Sequence, residues 1–311
     1  RAATAQINAG NGVGPAKNSV YLDFRDALAR LGREEIARRY GNLFHMYTDA
    51  TGEDPYSQPM RIAPAAHFTM GGLWSDYDLA TNLPGLFVAG ESGWSYHGAN
   101  RLGANSLLSA CVDGWFTIPN AVPNYLAGRL GKDKLDADSD VARAAVDRTR
   151  RRTEGLIAVG GTTPPRVFHQ RLGEILTAGV GVERSRESLM AARDQVIALR
   201  AEFWRDVSIP GDAQGHELSI ALEQAGRVAD FLELGELLCV DALDREESCG
   251  AHFRSEFSSG GEAVRNDDAW AFVSAWESES TEGDSVGARH FVRHAEPLTF
   301  DAVPLATRNY Q

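Results

Sequence analysis

Apolar positions in the second half of the chain fall into a helical period. Leu189, Ala192, Val196, Leu199 and Phe203 recur at steps of 3, 4, 3 and 4, which is one face of an amphipathic helix. Leu218, Leu222, Ala225, Ala229 and Leu232 repeat the pattern in a second helix. Segments near 139–158 and 165–177 add two more, so this region predicts an antiparallel helical bundle. Gly155, Gly160, Gly161, Pro164 and Pro165 mark breaks within it. A polar stretch from Gly131 to Ser139 precedes the bundle and reads as a linker.

The earlier residues pattern differently. Residues 1–58 hold a Gly-rich opening, a short strand over Ser19–Asp23 and a helix from about Asp26 to Tyr47. Residues 59–131 alternate short apolar runs with Gly and Pro, the punctuation of strand, turn and helix. There Leu86-Phe87-Val88-Ala89 predicts a buried strand ending at Gly90-Glu91, and Asn105–Phe116 predicts a helix. Residues 244–311 return to short, aromatic-containing segments, a small α+β module. The expected fold class is α+β or α/β and multidomain, divided as 1–58, 59–131, 132–243 and 244–311.

Bulk properties narrow the function classes. Lys and Arg number 31 against 43 Asp and Glu, a net charge of −12. That balance argues against a sequence-independent nucleic-acid binder, which needs cations to neutralise phosphates. It leaves room for a small anionic substrate, because one local cluster of Arg and His can hold a carboxylate. From Asp244 onward 13 acidic residues stand against 6 basic ones, a balance of −7, either a solvated acidic surface or a partner-facing patch. Cys111, Cys239 and Cys249 lie far apart without a C-x-x-C pair, against a disulfide framework or a zinc site and in keeping with a reducing compartment. No apolar run approaches the about 20 residues that span a bilayer. The opening RAATAQINAGNGVG lacks a signal-peptide pattern and an initiator Met, which leads us to expect the later part of a longer polypeptide.

Candidate chemistry concentrates between Arg61 and Leu108. His67 precedes Thr69-Met70-Gly71-Gly72, where paired glycines allow a close backbone approach to a ligand or a positive φ. The other reading of His67 is a satisfied core histidine. Glu91 follows the expected strand at its carboxyl end, where ligands of open α/β sheets bind, and its carboxylate can accept hydrogen bonds from ribose-type hydroxyls. Strand-Gly-acid turns also occur without a ligand. His97-Gly98-Ala99-Asn100-Arg101-Leu102-Gly103-Ala104-Asn105-Ser106-Leu107-Leu108 is a Gly-rich loop entering a helix. The first helical turn has unpaired N–H groups and a partial positive charge, suited to an anion such as a reduced flavin ring. Arg101 offers a planar fork that matches a carboxylate through two parallel hydrogen bonds. Alternatively it pairs with a neighbouring Glu or Asp.

In order and spacing, His67-Phe68-Thr69-Met70-Gly71-Gly72, Gly85–Glu91 and His97–Leu108 closely resemble the flavoprotein subunits of succinate dehydrogenase and fumarate reductase. Val20-Tyr21-Leu22-Asp23 is similar to the strand closing that family's capping domain. Arg245-Glu246-Glu247-Ser248-Cys249-Gly250-Ala251-His252-Phe253-Arg254 is similar to its R-x-E-S-x-G-x-H-x-R segment. The resemblance implies the C-terminal half of such a subunit: the end of a capping domain, the substrate-bearing end of an FAD-binding domain, the bundle and a C-terminal domain. It implies that His67 and Arg101 hold the carboxylates of succinate or fumarate. Glu91 would bind the ribityl chain of FAD, and Asn105, Ser106 and Leu107 would place donors at the flavin ring. His252 and Arg254 match a segment read as structural, lining a domain junction. An iron–sulfur subunit and, through it, membrane anchor subunits are the implied partners. They would hold the chain peripherally on the cytoplasmic face of the inner membrane, in the respiratory complex of the tricarboxylic acid cycle.

Rival readings remain. L-aspartate oxidase shares the His and Arg motifs, but that family usually reads N-R-M-A-S-N-S-L-L where this chain has Asn100–Leu108. Fumarate reductase uses the same groups in the opposite direction. A non-catalytic module docking an iron–sulfur subunit is the alternative of another class. Two departures from the family matter. The chain has no strand-GxGxxG-helix at its start, so the FAD pyrophosphate cradle and the histidine that carries covalent flavin are missing. The proton-transferring Arg also aligns upstream, with Arg1 a later Arg of that segment. Purified alone, the 311-residue chain is therefore expected to be colourless. Stoichiometric flavin absorbance in such a preparation would refute this.

Overall fold

A computed structural model describes residues 2–94, 97–99, 101–132, 134–210, 219–279, 288–301 and 304–306. Arg1, Asn100, Asp133 and Leu218, each part of an expectation above, lie outside the described residues. The chain forms two compact units, Arg1–His67 and Phe68–Gln311.

In the first unit, α1 (Ala2–Gln6) widens into a π-type turn at Ile7–Asn11. The expected strand near Val20 is present as β1 (Val20–Leu22), antiparallel to β2 (Met60–Ile62), with Tyr21 opposite Arg61. The helix expected over 26–47 is instead two, α2 (Arg25–Leu31) and α3 (Arg33–Thr51). Gly32 causes the break: its φ of 82° is outside the helical region and readily reached only by glycine. The helices and strands share a small core of Ile36, Phe44 and Met60, with Phe24 set edge-on to Phe44 at 5.0 Å.

In the second unit, α4 (Asn105–Val112) and α5 (Ile118–Ala127) replace the single helix expected over 105–116. They are joined by a π-type turn at Asp113–Thr117, where the chain widens without leaving helical dihedrals. The strand expected at Leu86–Ala89 is reduced to one antiparallel bridge, Ala80 to Phe87. Leu79 on the opposing segment sits at φ 62°, and the Asn82–Gly85 turn closes immediately, so no longer ladder extends from that pair. Val88 is nevertheless buried, as its apolar neighbours require.

The four bundle helices are α6 (Asp140–Ala158), α7 (Pro165–Gly179), α8 (Arg186–Asp206) and α9 (Ile220–Asp244). Their starts follow the local chemistry. Ser139 and Ser219 accept N–H groups of the first turn, Ser185 and Ser188 form a reciprocal capping box, and Pro165 opens α7. The faces read from the sequence meet in one core of Phe168, Leu172, Val196, Leu199, Phe203, Ala225, Ala229 and Leu232. Gly235 lets α9 approach α7 closely, since a Cβ there would lie 3.2 Å from Leu172 Cδ1. Inside this core Arg200 Nη1 donates to Glu236 Oε2 at 2.7 Å, with both side chains fully buried. The other Glu236 oxygen accepts the Arg289 N–H at 3.0 Å. Removing one member of such a pair leaves a buried charge, so the bond binds α8 to α9 in one register.

Beyond the bundle lie the β3–β4 hairpin (Ser258–Ser259, Glu262–Ala263), the short α10 (Asp267–Trp270) and the antiparallel pair β5 (Phe272–Ser278) and β6 (Phe291–Pro297). Trp276 Nε1 donates to Asp241 Oδ1 at 2.7 Å, attaching this pair to α9. Among the described residues no helix is long and apolar enough to cross a membrane.

Candidate functional site

Two loops of the second unit carry most of the residues singled out above. Within the first, Gly72 has no space for a side chain: a Cβ would stand 2.2 Å from the Ser92 carbonyl oxygen. Leu73 N–H donates to that same oxygen at 2.8 Å, and Trp94 N–H returns to Leu73 O at 3.2 Å. Gly72 therefore serves an approach between two segments of the chain's own backbone, and its φ is not positive.

Glu91 lies at the tight turn Gly90–Ser92, exposed, with Oε1 accepting the Thr69 N–H at 2.8 Å. The turn is fixed from beneath, where buried Asp113 accepts the Gly90 N–H through Oδ2 at 2.8 Å. A charged acceptor strengthens both bonds. One Glu91 oxygen thus orders the Thr69 loop.

Arg101 is half-buried in the second loop. Its N–H meets Met70 Sδ at 3.1 Å, and its guanidinium lies 5.0 Å from the centre of the Phe68 ring. The His97 ring stands edge-on to Phe68 at 5.4 Å and within 3.3 Å of Ser109 Oγ. Nη1 of Arg101 donates to the Leu102 carbonyl at 3.1 Å. Among the described residues no carboxylate pairs with it, so the alternative of a structural ion pair finds no support there. Its aromatic and backbone contacts position the fork without neutralising it, leaving a cation available to an anionic ligand. His67 is exposed and is the last residue of the first unit.

Asn105, Ser106 and Leu107 form the first turn of α4. Ala104, at φ 66°, has no side chain with which to cap that turn. The Asn105 N–H turns back to the Leu102 carbonyl at 3.3 Å, so the helix start presents the N–H groups of Ser106 and Leu107 with a partial positive charge. Leu107 is 74% exposed and Leu108 60%, so apolar surface adjoins these donors. Donors beside exposed apolar surface fit a flat aromatic ring that carries negative charge, which is the character of a flavin.

The segment Arg245–Arg254 packs beside this region and spends its polar groups on backbone and on neighbouring side chains. Buried Arg254 donates from Nη1 to the carbonyls of Ala242 at 3.0 Å and Leu243 at 3.3 Å, capping the carboxyl end of α9. Ser248 Oγ donates to the Arg254 carbonyl and accepts its N–H, at 3.0 and 2.8 Å. Glu247 accepts from Arg245 Nε and from the Asn266 N–H, both at 2.9 Å. His252 Nε2 lies 3.0 Å from the Arg245 carbonyl. Sequence reasoning missed Asp113 and Arg184, which hold these turns from distant positions and belong to no motif. Phe68 and Met70 were within a motif, but their contact with Arg101 is a matter of folding.

With this geometry in place, comparison with known proteins is decisive. Residues 169–310 match the family model of the fumarate reductase flavoprotein C-terminus, and residues 1–107 match that of the FAD binding domain. The chain belongs to the succinate dehydrogenase and fumarate reductase flavoprotein family. It is 36% identical over 254 residues to the succinate dehydrogenase flavoprotein subunit of Bacillus subtilis, covering 82% of this chain and 41% of that protein. It is 29% identical over 242 residues to the fumarate reductase flavoprotein subunit of a Serratia species, covering 77% and 38%. The apo Sdh1 complex of Mycobacterium smegmatis superposes with a TM-score of 0.77 at 28% identity, over 98% of this chain and 47% of that one. The chain thus spans less than half the length of these relatives. The family's cofactor is FAD, which the α4 start fits.

Burial, with Arg184, Arg245 and Arg254 nearby, pushes the His252 imidazole down to about 4. Unfolded, His252 takes a proton near its ordinary 6.5, whereas folded it stays neutral until about 4. The unfolded state therefore binds more protons in that window, and stability falls as pH drops from 6.5 towards 4. His252→Gln is expected to flatten this part of the stability profile. Denaturant midpoints measured across the window check it, and an unchanged slope would contradict it.

Proposed function

We propose that this chain supplies the dicarboxylate-gripping part of a succinate dehydrogenase flavoprotein subunit, which oxidises succinate to fumarate. The observation that carries the proposal is the Arg101 guanidinium, positioned by Phe68, Met70 and Leu102 with no carboxylate beside it among the described residues. A four-carbon dianion needs a cation or donor at each end. Arg101 takes one carboxylate through its fork, and His67 takes the other. Holding both ends converts binding into alignment of the carbon that gives up hydride. FAD, when bound, would accept that hydride, and the proton on the neighbouring carbon would pass to the proton-transferring Arg that the family resemblance aligns upstream of Arg1. Asn105, Ser106 and Leu107 present the helix start to its ring, and Glu91 accepts hydrogen bonds from its ribityl hydroxyls. Residues 1–58 would end a capping domain, 59–131 an FAD-binding domain, 132–243 the bundle and 244–311 a C-terminal domain.

Fumarate reduction is the reverse step over the same groups, its direction set by redox partners. An iron–sulfur subunit would take the electrons onward. Membrane anchor subunits would hold the assembly peripherally at the cytoplasmic face of the inner membrane. A purely structural module would not require an uncompensated, positioned Arg101.

Arg101→Lys in the complete, flavin-loaded subunit is expected to lower kcat/KM for succinate by at least about a hundredfold while flavin stays bound, because an ammonium cannot reproduce the two-pronged contact. His67→Ala is expected to weaken binding of malonate, a dicarboxylate mimic, by roughly tenfold, the loss of about one charged hydrogen bond. Wild-type kcat/KM in the first variant, or an unchanged malonate constant in the second, would sink the assignment.

A further inference from the structure

One backbone hydrogen bond joins the loop that carries Arg101 to the far end of the molecule's sequence. Cys249 and His252 exchange both backbone hydrogen bonds, at 2.8 and 3.0 Å, and close a tight turn around Gly250 and Ala251. Gly250 takes the corner at φ 59°, the conformation that favours glycine at the first central position of such a loop. The Ala251 N–H is left pointing out of the turn, and it donates to the Ala99 carbonyl at 2.7 Å. On the opposite side of the same residue, the Ala251 carbonyl accepts from Arg184 Nη2 at 3.3 Å.

Arg184 is well placed to act as the clamp. It lies between α7 and α8, its Nε donates to the Gly181 carbonyl at 3.2 Å, and its backbone pairs with Phe253 and Ser255 at 3.1 and 2.9 Å. The turn is further pinned by Arg254, which holds the end of α9. A rigid path of hydrogen bonds thus runs from the bundle through Arg184 and Ala251 to Ala99, two residues before Arg101.

We propose that the Cys249–His252 turn, clamped by Arg184, is a positioning element that sets the height of the Arg101 loop against the bundle and so tunes its grip on a dicarboxylate. Arg184 is a positioning residue, acting on Arg101 through the Ala251 peptide. The proposal rests on the reading of Arg101 as the carboxylate-binding cation. Met70 supports the loop on one side through the Arg101 N–H, and Ala251 supports it on the other through the Ala99 carbonyl. With Ala251 released, the guanidinium keeps its charge and loses its placement, which weakens a two-pronged contact steeply because both bonds depend on angle.

Ala251→Pro deletes the one N–H involved, and Ala251 does not occupy a positive φ that proline could not take. Arg184→Ala and Arg184→Lys remove and partly restore the clamp. The dissociation constant of malonate, measured by calorimetry on the complete, flavin-loaded subunit, is the deciding quantity, because it does not depend on how much of the sample is folded. It is expected to rise about tenfold in Ala251→Pro and in Arg184→Ala, with partial recovery in Arg184→Lys. KM for succinate should rise in parallel while flavin content per folded protein is unchanged. A malonate constant within twofold of wild type in either variant would overturn the proposal. If Ala251→Pro yields no folded protein, the two Arg184 variants decide by the same criterion. Failure of wild-type protein to bind malonate would instead refute the underlying reading of Arg101, which separates the two outcomes.

Discussion

A guanidinium that is only 2% exposed must find oxygen atoms, and Arg254 finds them at the end of α9. Much of the second unit's arrangement around the site depends on that requirement. The last carbonyls of a helix need donors and carry partial negative charge, so a buried cation is well matched to them. By holding Ala242 and Leu243, Arg254 fixes where the chain leaves the bundle. Ser248 then locks the backbone of Arg254 from both sides, and the Cys249–His252 turn follows. The segment Arg245–Arg254 thus anchors helix, turn and loop.

The candidate site is built by the same economy. Arg101 is oriented by an aromatic face, a thioether and a neighbouring carbonyl, none of which removes its charge. Glu91 orders Thr69 with one oxygen, and Asp113 orders the turn below it. The start of α4 lacks a side-chain cap because Ala104 occupies the capping position. Polar groups toward the support are satisfied, while Arg101 has no carboxylate partner among the described residues and the start of α4 has no side-chain cap.

The bundle was legible because its signal is periodic. Val196, Leu199 and Phe203 face one way on a helix whatever the rest of the protein does, and they lie in the core as their spacing requires. Glycine positions were harder. Gly32 splits a helix that its flanking residues would have continued, and Gly72 gives way to Ser92, a residue that proximity in sequence does not suggest. The run Leu86–Ala89 has strand composition, yet strand formation needs a partner ladder, and only one bridge is made.

The order of residues alone determined the helix faces and the motifs that mark the family, because each depends on neighbours within a few positions. Only the folded chain decided that Arg101 stands without a carboxylate partner among the described residues, that Asp113 supports Gly90, and that Arg184 reaches Ala251. Those bonds join positions far apart along the chain. No local period or spacing encodes them, since they arise from which elements packing brings within hydrogen-bond distance.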